Sequence, residues 1–325
     1  MNSPNWPWNP GGKLRFDRFM DLALHEPQRG YYARRIQAVG RGGDFTTTPM
    51  LTPALGKAVA AWASEALRES GCRDLIELGP GEGVLAAAVL AGIPWLQRLR
   101  LRLHLVERSA PLREKQQARL GRSVQWHESI ESALAACGGR ACIYSNEFAD
   151  AFSVRRFRKE EQDTWSELYL SPAEEWLACV DLPDSSVFAQ PHAPGQIVEV
   201  AESYHHWLSG WLPSWQAGRM LTIDYGSPVA SLYHRRPRGS IRAYFMQQRL
   251  EGPAIYENPG RQDLTADMNF TDLQQWAKPH AETVKLISQR DFLLPHISTN
   301  QSSDTHAIDP EGAGAAFLVL DQRRS

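Results

Sequence analysis

Residues 74–85 read Asp-Leu-Ile-Glu-Leu-Gly-Pro-Gly-Glu-Gly-Val-Leu. This stretch constrains the fold more than any other. Leu75 to Leu78 is short and mostly apolar, as a strand covered on both faces should be. Glycines at 79, 81 and 83 then allow positive φ and let a ligand approach with no Cβ in its path. The apolar run after Gly83 predicts a helix. A strand, a glycine turn and a helix in that order form the socket that α/β domains offer to nucleotide-like ligands. A glycine triplet by itself is equally compatible with a plain strand-to-helix turn.

The spacing narrows the ligand. A dinucleotide turn follows G-x-G-x-x-G and would place its third glycine at position 84, which is Val84. Here the pattern is acidic-x-Gly-x-Gly-x-Gly, with Glu77 two residues before Gly79. A carboxylate there would repel a pyrophosphate and suits a ligand with a cationic amino-acid end. S-adenosylmethionine is such a ligand.

Alternation around this motif predicts the fold. Strands are expected at 74–79, 101–107, 123–126 and 141–145, with helices at 83–90, 109–120 and 129–137 between them. That βαβαβαβ series specifies a doubly wound parallel sheet. Further strands at 220–225, 283–288 and 315–320, with helices at 200–212 and 271–277, would complete it. Residues 13–26 are expected to be helical, as is a stretch from Thr48-Pro49 to about residue 70. Residues 1–70 thus read as a helical N-terminal extension contributing to the cofactor cleft, and 71–325 as the main domain. Residues 154–200 read as an antiparallel insertion, 226–270 as a loop-rich one, and 296–314 as polar loop. Trp207, Trp211 and Trp215, spaced by four, read as core packing.

Composition excludes several classes. The 35 Lys and Arg against 37 Asp and Glu leave no basic bias to attract nucleic acid. No apolar run is long enough to cross a membrane. Met1 to Gly12 shows neither an apolar core nor an Arg-rich amphipathic pattern, so no targeting leader is expected. The four cysteines, at 72, 137, 142 and 179, have neither CxxC nor metal-ligand spacing. No metal is expected, and reduced thiols suggest a cytoplasmic location.

Candidate chemistry falls where strands end. Glu107 closes the second strand, where a carboxylate can accept from both hydroxyls of a ribose. Glu128, after the third, is placed to accept from an adenine amino group or to start a helix. After the fourth comes Ser145-Asn146-Glu147-Phe148-Ala149-Asp150-Ala151. Two carboxylates three apart suit a cationic or donor-rich substrate such as a guanidinium. On a helical turn Glu147 and Asp150 would share a face. The segment lacks the Asn/Asp-Pro-Pro-aromatic signature of enzymes that methylate base amino groups.

Taken in order, these segments resemble the MidA family of class I S-adenosylmethionine-dependent methyltransferases. That family includes a mitochondrial arginine methyltransferase that assists assembly of respiratory complex I. The resemblance covers about residues 14–280. It rests on Pro27-x-x-Gly30-Tyr31-Tyr32, Gly43-Asp44-Phe45-x-Thr47-x-Pro49, the Glu77–Leu85 turn, Leu105-Val106-Glu107, Asn146-Glu147-Phe148-x-Asp150-Ala151, Asp224-Tyr225-Gly226, and Asp263-Leu264-Thr265-Ala266-Asp267 with Phe270.

The resemblance implies a seven-stranded, mostly parallel methyltransferase-type α/β sheet with S-adenosyl-L-methionine as cofactor. It implies cofactor contacts from Phe45, Thr47, Glu77, Gly79, Gly81, Gly83, Glu107, Glu128 and Asn146. Asp44, Tyr225, Asp263 and Thr265 are then expected at the substrate cleft, and Glu147 and Asp150 are read as the catalytic pair that orients the acceptor and spreads its charge. The acceptor it implies is a protein arginine nitrogen. A small-molecule acceptor and a cofactor-binding assembly factor without turnover are the alternatives. Met50, Ala149, Phe152-Ser153 and Asn269 depart from the family pattern, all toward the substrate rather than the cofactor.

Overall fold

The structure is a computed structural model that describes residues 7, 12–33, 52–121, 124–171, 173–246, 248–297, 304, 307–309 and 312–324. The chain forms two compact units. One comprises Met1–Asp44, Ala149–Trp207 and Gly226–Leu273; the other comprises Phe45–Phe148, Leu208–Tyr225 and Gln274–Ser325.

The second unit carries the doubly wound sheet. Its strands are β1 (Asp74–Leu78), β2 (Arg102–Val106), β3 (Val124–His127), β4 (Cys142–Asn146), β5 (Arg219–Ser227), β6 (Ala281–Ser288) and β7 (Phe317–Arg324). Their spatial order is β3-β2-β1-β4-β5-β7-β6. The first five run parallel. β7 is antiparallel to both β5 and β6. Helices α1 (Pro53–Ser70), α2 (Val84–Gly92), α3 (Ala110–Leu120) and α4 (Ile130–Ala136) accompany the sheet. Strand β1 is buried along its whole length, as its apolar run predicted. Leu75, Leu103, Leu105, Tyr144 and Ile223 form the core with Val59, Ala63 and Val89 from the helices.

Helix α1 begins four residues later than expected. Thr48-Pro49 lies outside the described residues. Thr52-Pro53 offers the same capping pair, and Thr52 Oγ1 accepts from the Leu55 amide at 3.2 Å. Small residues set how closely α1 and α2 pack: a Cβ on Gly56 would stand 2.5 Å from the Ala88 Cβ. Trp211 and Trp215 are fully buried, which accounts for that part of the tryptophan series as core.

The first unit is antiparallel. The insertion forms strands Arg155–Lys159, Trp165–Leu170, Glu174–Cys179 and Ile197–Val200, joined at one edge by Leu14–Arg15. Residues 14 and 15 are therefore strand, and the expected helix is Phe16–His25. Its buried Phe16, Phe19, Met20 and Leu24 pack with Leu168, Leu170 and Leu264. Residues 226–270, expected to be loop-rich, contain a three-stranded antiparallel sheet of Arg242–Phe245, Gln248–Leu250 and Asp263–Thr265. Strands of three or four residues are too short to show the alternation that marks longer ones. Among the described residues, no helix is long and apolar enough to cross a membrane.

Candidate active site

The strand order reverses beside β1, where β2 lies on one side and β4 on the other. Open α/β sheets bind ligands at such a point, beyond the carboxyl ends of the strands. The glycine turn stands there. Gly79, Gly81 and Gly83 have φ of 62°, 53° and 76°, a left-handed alternation that residues with a Cβ rarely adopt. A Cβ on Gly79 would stand 2.6 Å from Phe148 Cδ2, and one on Gly83 would stand 3.3 Å from Gln116 Cγ. A Cβ on Gly81 would meet no atom within 4 Å. Packing against Phe148 thus excludes a side chain at Gly79, and Gln116 crowds one at Gly83. The middle glycine keeps a space clear.

Gln116 on α3 is fully buried and braces this turn. Its Nε2 donates to the Gly81 carbonyl at 2.7 Å, and its Oε1 accepts from Trp126 Nε1 at 2.9 Å. Sequence reading passed it over. Its one signal is an uncharged polar residue on the face of α3 that turns inward.

Glu77 is buried, and the Tyr144 hydroxyl donates to its Oε2 at 2.8 Å. Burial pushes its carboxyl up to about 8, only partly opposed by that hydrogen bond. Glu107 follows β2 and is half-buried. The Ser109 amide donates to its Oε1 at 2.8 Å. Burial raises its carboxyl, against hydrogen bonds from the Ser109 and Arg108 amides. Glu128 is exposed and paired with Arg113 Nη1 at 3.2 Å.

At the end of β4, Asn146 Nδ2 donates to Glu147 Oε1 at 3.2 Å. Glu147 has φ of 51°, a left-handed conformation that costs a non-glycine residue about 1–2 kcal/mol. Its amide donates to the Ile223 carbonyl at 3.0 Å. The Phe148 amide donates to Asp224 Oδ2 at 3.1 Å, and the same carboxylate takes the Tyr225 amide on Oδ1 at 2.9 Å. Buried Asp224 therefore ties the ends of β4 and β5 together. The Tyr225 ring lies against Phe317, with centroids 3.8 Å apart. Glu147 and Asp150 do not share a helical turn: only Ala149–Ala151 forms a 3-10 turn, and Glu147 precedes it in left-handed geometry.

In the first unit, Thr265 Oγ1 donates to Asp150 Oδ2 at 3.0 Å. Burial raises the Asp150 carboxyl, with the Thr265 hydroxyl and Arg242 opposing. Asp263 accepts from the Tyr32 hydroxyl at 3.5 Å, and the Tyr32 ring stacks on His25. Asp150, Thr265, Asp263 and Tyr32 thus come together from positions up to 231 residues apart. Asn269, one of the departures, accepts the Thr271 and Asp272 amides at 3.1 and 3.4 Å. It starts the helix Phe270–Ala277 as an aspartate would. Asp44, Phe45, Thr47 and Met50 lie outside the described residues.

A parallel sheet with this strand order and a glycine turn at its reversal defines a nucleotide-cofactor enzyme of the methyltransferase type. A family described as "Putative S-adenosyl-L-methionine-dependent methyltransferase" matches residues 58–288. The chain belongs to that family, and S-adenosylmethionine is its cofactor. The turn fits such a ligand: the space beside Gly81 is clear, and Glu77 and Glu107 stand at the carboxyl ends of adjacent strands.

The chain is similar to the Caenorhabditis elegans protein arginine methyltransferase NDUFAF7 homolog, mitochondrial. Identity is 26% over 324 residues, which cover 87% of this chain and 72% of that one. The human protein of the same name is 26% identical over 318 residues, covering 87% and 69%. The fold matches that of a Burkholderia thailandensis protein solved with S-adenosyl-homocysteine, with TM-score 0.78, 24% identity, and 97% and 89% of the two chains covered. The curated relatives are named mitochondrial, which overturns the cytoplasmic location expected from the sequence. Unpaired thiols report a reducing environment without saying which one.

Proposed function

We propose that this S-adenosylmethionine-dependent methyltransferase acts on a protein arginine nitrogen. The reading is supported by the relatives named protein arginine methyltransferase, similar over 87% of the chain. The Asp150 carboxylate, held beside the Asp263–Thr265 strand, is of a kind suited to a guanidinium and also supports it. The observation that carries it is Asp150, half-buried, raised by burial and held by Thr265.

The cofactor supplies an electrophilic methyl on a sulfonium, open to in-line displacement by nitrogen. The chain's own residues position the partners. Gly79, Gly81 and Gly83 admit the cofactor, Glu77 and Asn146 serve its amino-acid end, and Glu107 and Glu128 serve its ribose and adenine. The family resemblance adds Phe45 and Thr47 to the cofactor's residues and Asp44, Tyr225, Asp263 and Thr265 to the acceptor's. Glu147 and Asp150 orient the guanidinium and spread its charge. Asp150, raised by burial, is a better proton acceptor than an ordinary carboxylate once ionised. Most of the rate would come from holding nitrogen and methyl carbon about 3–3.5 Å apart.

Methyl-labelled cofactor tests this in a lysate of source cells lacking the protein. Label in a protein band, released by acid hydrolysis as methylarginine, is the expected result. Label confined to small molecules would move the acceptor to that class. Cofactor binding without any transfer would leave a binding module.

A further inference from the structure

Asp74, His104 and Cys137 form a buried cluster in the second unit that the methyl-transfer reading does not use. Asp74 opens β1, His104 sits within β2, and Cys137 is the residue that closes α4. Their side-chain donor atoms all lie within 4.8 Å of one another. His104 Nε2 is 2.8 Å from Asp74 Oδ1 and 3.5 Å from Cys137 Sγ. One nitrogen thus faces a carboxylate oxygen and a sulfur together. A cysteine protease arrangement would instead place them on opposite nitrogens of the ring. Convergence on one point is the geometry of metal ligands.

We propose that Asp74, His104 and Cys137 bind a zinc ion, which takes the place of the proton at His104 Nε2. Zinc accepts nitrogen, sulfur and oxygen donors together, at about 2.0–2.3 Å. In a tetrahedron those bonds hold neighbouring donors roughly 3.3–3.7 Å apart, so the N···O separation opens by about half an ångström and the N···S separation is already right. Calcium and magnesium, which require oxygen ligands, do not suit the set.

The surroundings fit an ion. His104 Nδ1 is 3.0 Å from His127 Nε2. With His127 accepting, the Nε2 lone pair of His104 is free for metal, the support that ligating histidines normally have. Asp74 gives its other oxygen, Oδ2, to Arg102 at 2.6 Å, which leaves Oδ1 for the ion. A cavity of about 170 Å³, lined in part by Gly71, Cys72 and Arg140, reaches both Asp74 and Cys137. It borders two of the three ligands and offers an entry path with room for a fourth ligand such as water. The site is not the cofactor turn, because Asp74 and Gly79 lie at opposite ends of β1. It would instead tie β1, β2 and α4 together.

The test uses full-length protein purified without a metal-affinity tag, stripped with chelator and titrated with cobalt(II) alone, then zinc(II). The expected result is one cobalt per chain, with the visible bands of a tetrahedral ion and a thiolate-to-cobalt band in the near ultraviolet. Zinc should displace it and raise the melting temperature by several degrees. Cys137→Ser should lose the thiolate band, and Cys72→Ser, altering a thiol on the same cavity, should keep it. The parent needs no substitution to bind, so a poorly folding variant does not decide the matter. Absence of stoichiometric cobalt in the parent, a thiolate band that survives Cys137→Ser, or one that tracks Cys72 instead would each overturn the assignment.

Discussion

Gly81→Val separates the cofactor socket from the fold. The native φ of 53° is left-handed, so any side chain there costs the free protein about 1–2 kcal/mol. The Cβ itself adds no packing cost, because at this position it meets no atom within 4 Å. The melting temperature should fall by only a few degrees, at about 2–4 °C per kcal/mol for a domain of this size. The bound state is different. The added methyls project into the space the ligand needs, and the turn cannot retreat, since Gln116 holds the Gly81 carbonyl at 2.7 Å. Overfilling a packed site costs about 1–3 kcal/mol, and loss of the left-handed turn adds to it. Affinity should therefore drop by at least about tenfold, at ~1.4 kcal/mol per decade. Gly79→Ala is the contrast: its Cβ would stand 2.6 Å from Phe148 Cδ2, so the free protein is damaged as well. Calorimetric titration with S-adenosylhomocysteine, beside thermal melts, reads both quantities. Parental affinity in a folded Gly81→Val protein would refute the assignment of the turn as socket. A melt as depressed as that of Gly79→Ala would refute the claim that the space is open.

Four further outcomes follow from the site. Glu107→Ala should weaken cofactor binding by about 1.5–3 kcal/mol, the usual worth of hydrogen bonds to a charged group; unchanged calorimetric affinity would assign the ribose to another residue. Gln116→Leu leaves the Gly81 carbonyl and the Trp126 indole N–H without their partner, at about 1–3 kcal/mol each, so urea unfolding and cofactor affinity should both suffer, and a neutral result in both would remove its bracing role. Glu77, raised from 4.5 to about 8, holds a proton in the folded state that the unfolded chain has lost; its contribution is complete below about pH 4.5 and disappears as pH rises through 8, so Glu77→Gln should flatten the fall in stability of the free protein across that window, and an unaltered slope in urea midpoints would place the effect elsewhere. Glu147→Gln and Asp150→Asn should leave cofactor affinity nearly unchanged and slow transfer by several kcal/mol of barrier, without adding if both hold one group; parental labelling rates in both variants would move the acceptor site, with Asp263 the next residue to test.

What the sequence disclosed depended on how far apart the cooperating residues lie. The glycine turn needs only nine residues, Glu77 to Leu85, and strand, turn and helix each leave a local mark on composition. The parallel strands were legible for the same reason, each being a short β-prone run followed by a helical stretch. The short strands within 226–270 were not, since three residues cannot display a period. Partnerships across long separations left no mark at all. Asp150 and Thr265 are 115 residues apart; Asp150 stood out as one of two carboxylates three apart, while Thr265 came into view only through the family resemblance. Gln116 and Gly81 are 35 apart and had no such help. Nothing about a glutamine in a helix announces that it will brace a turn beyond a neighbouring strand.

The same argument applies to the cysteines. Spacing was the criterion by which metal was set aside, and spacing detects ligands that share one loop or helix. His104 lies 30 residues from Asp74 and 33 from Cys137, on two strands that the parallel sheet sets side by side and at the end of a helix. Each βα unit returns the chain to the sheet roughly every 30 residues and so brings residues near the same end of successive units together, with Arg102 opposite Asp74 and His104 two residues further along. In a doubly wound fold the informative period for a buried site is therefore the length of the βα repeat and not the few residues of a ligand motif. The separations of Asp74, His104 and Cys137 are of that length, and cobalt titration decides whether their juxtaposition serves a metal or only the packing of α4 against the sheet.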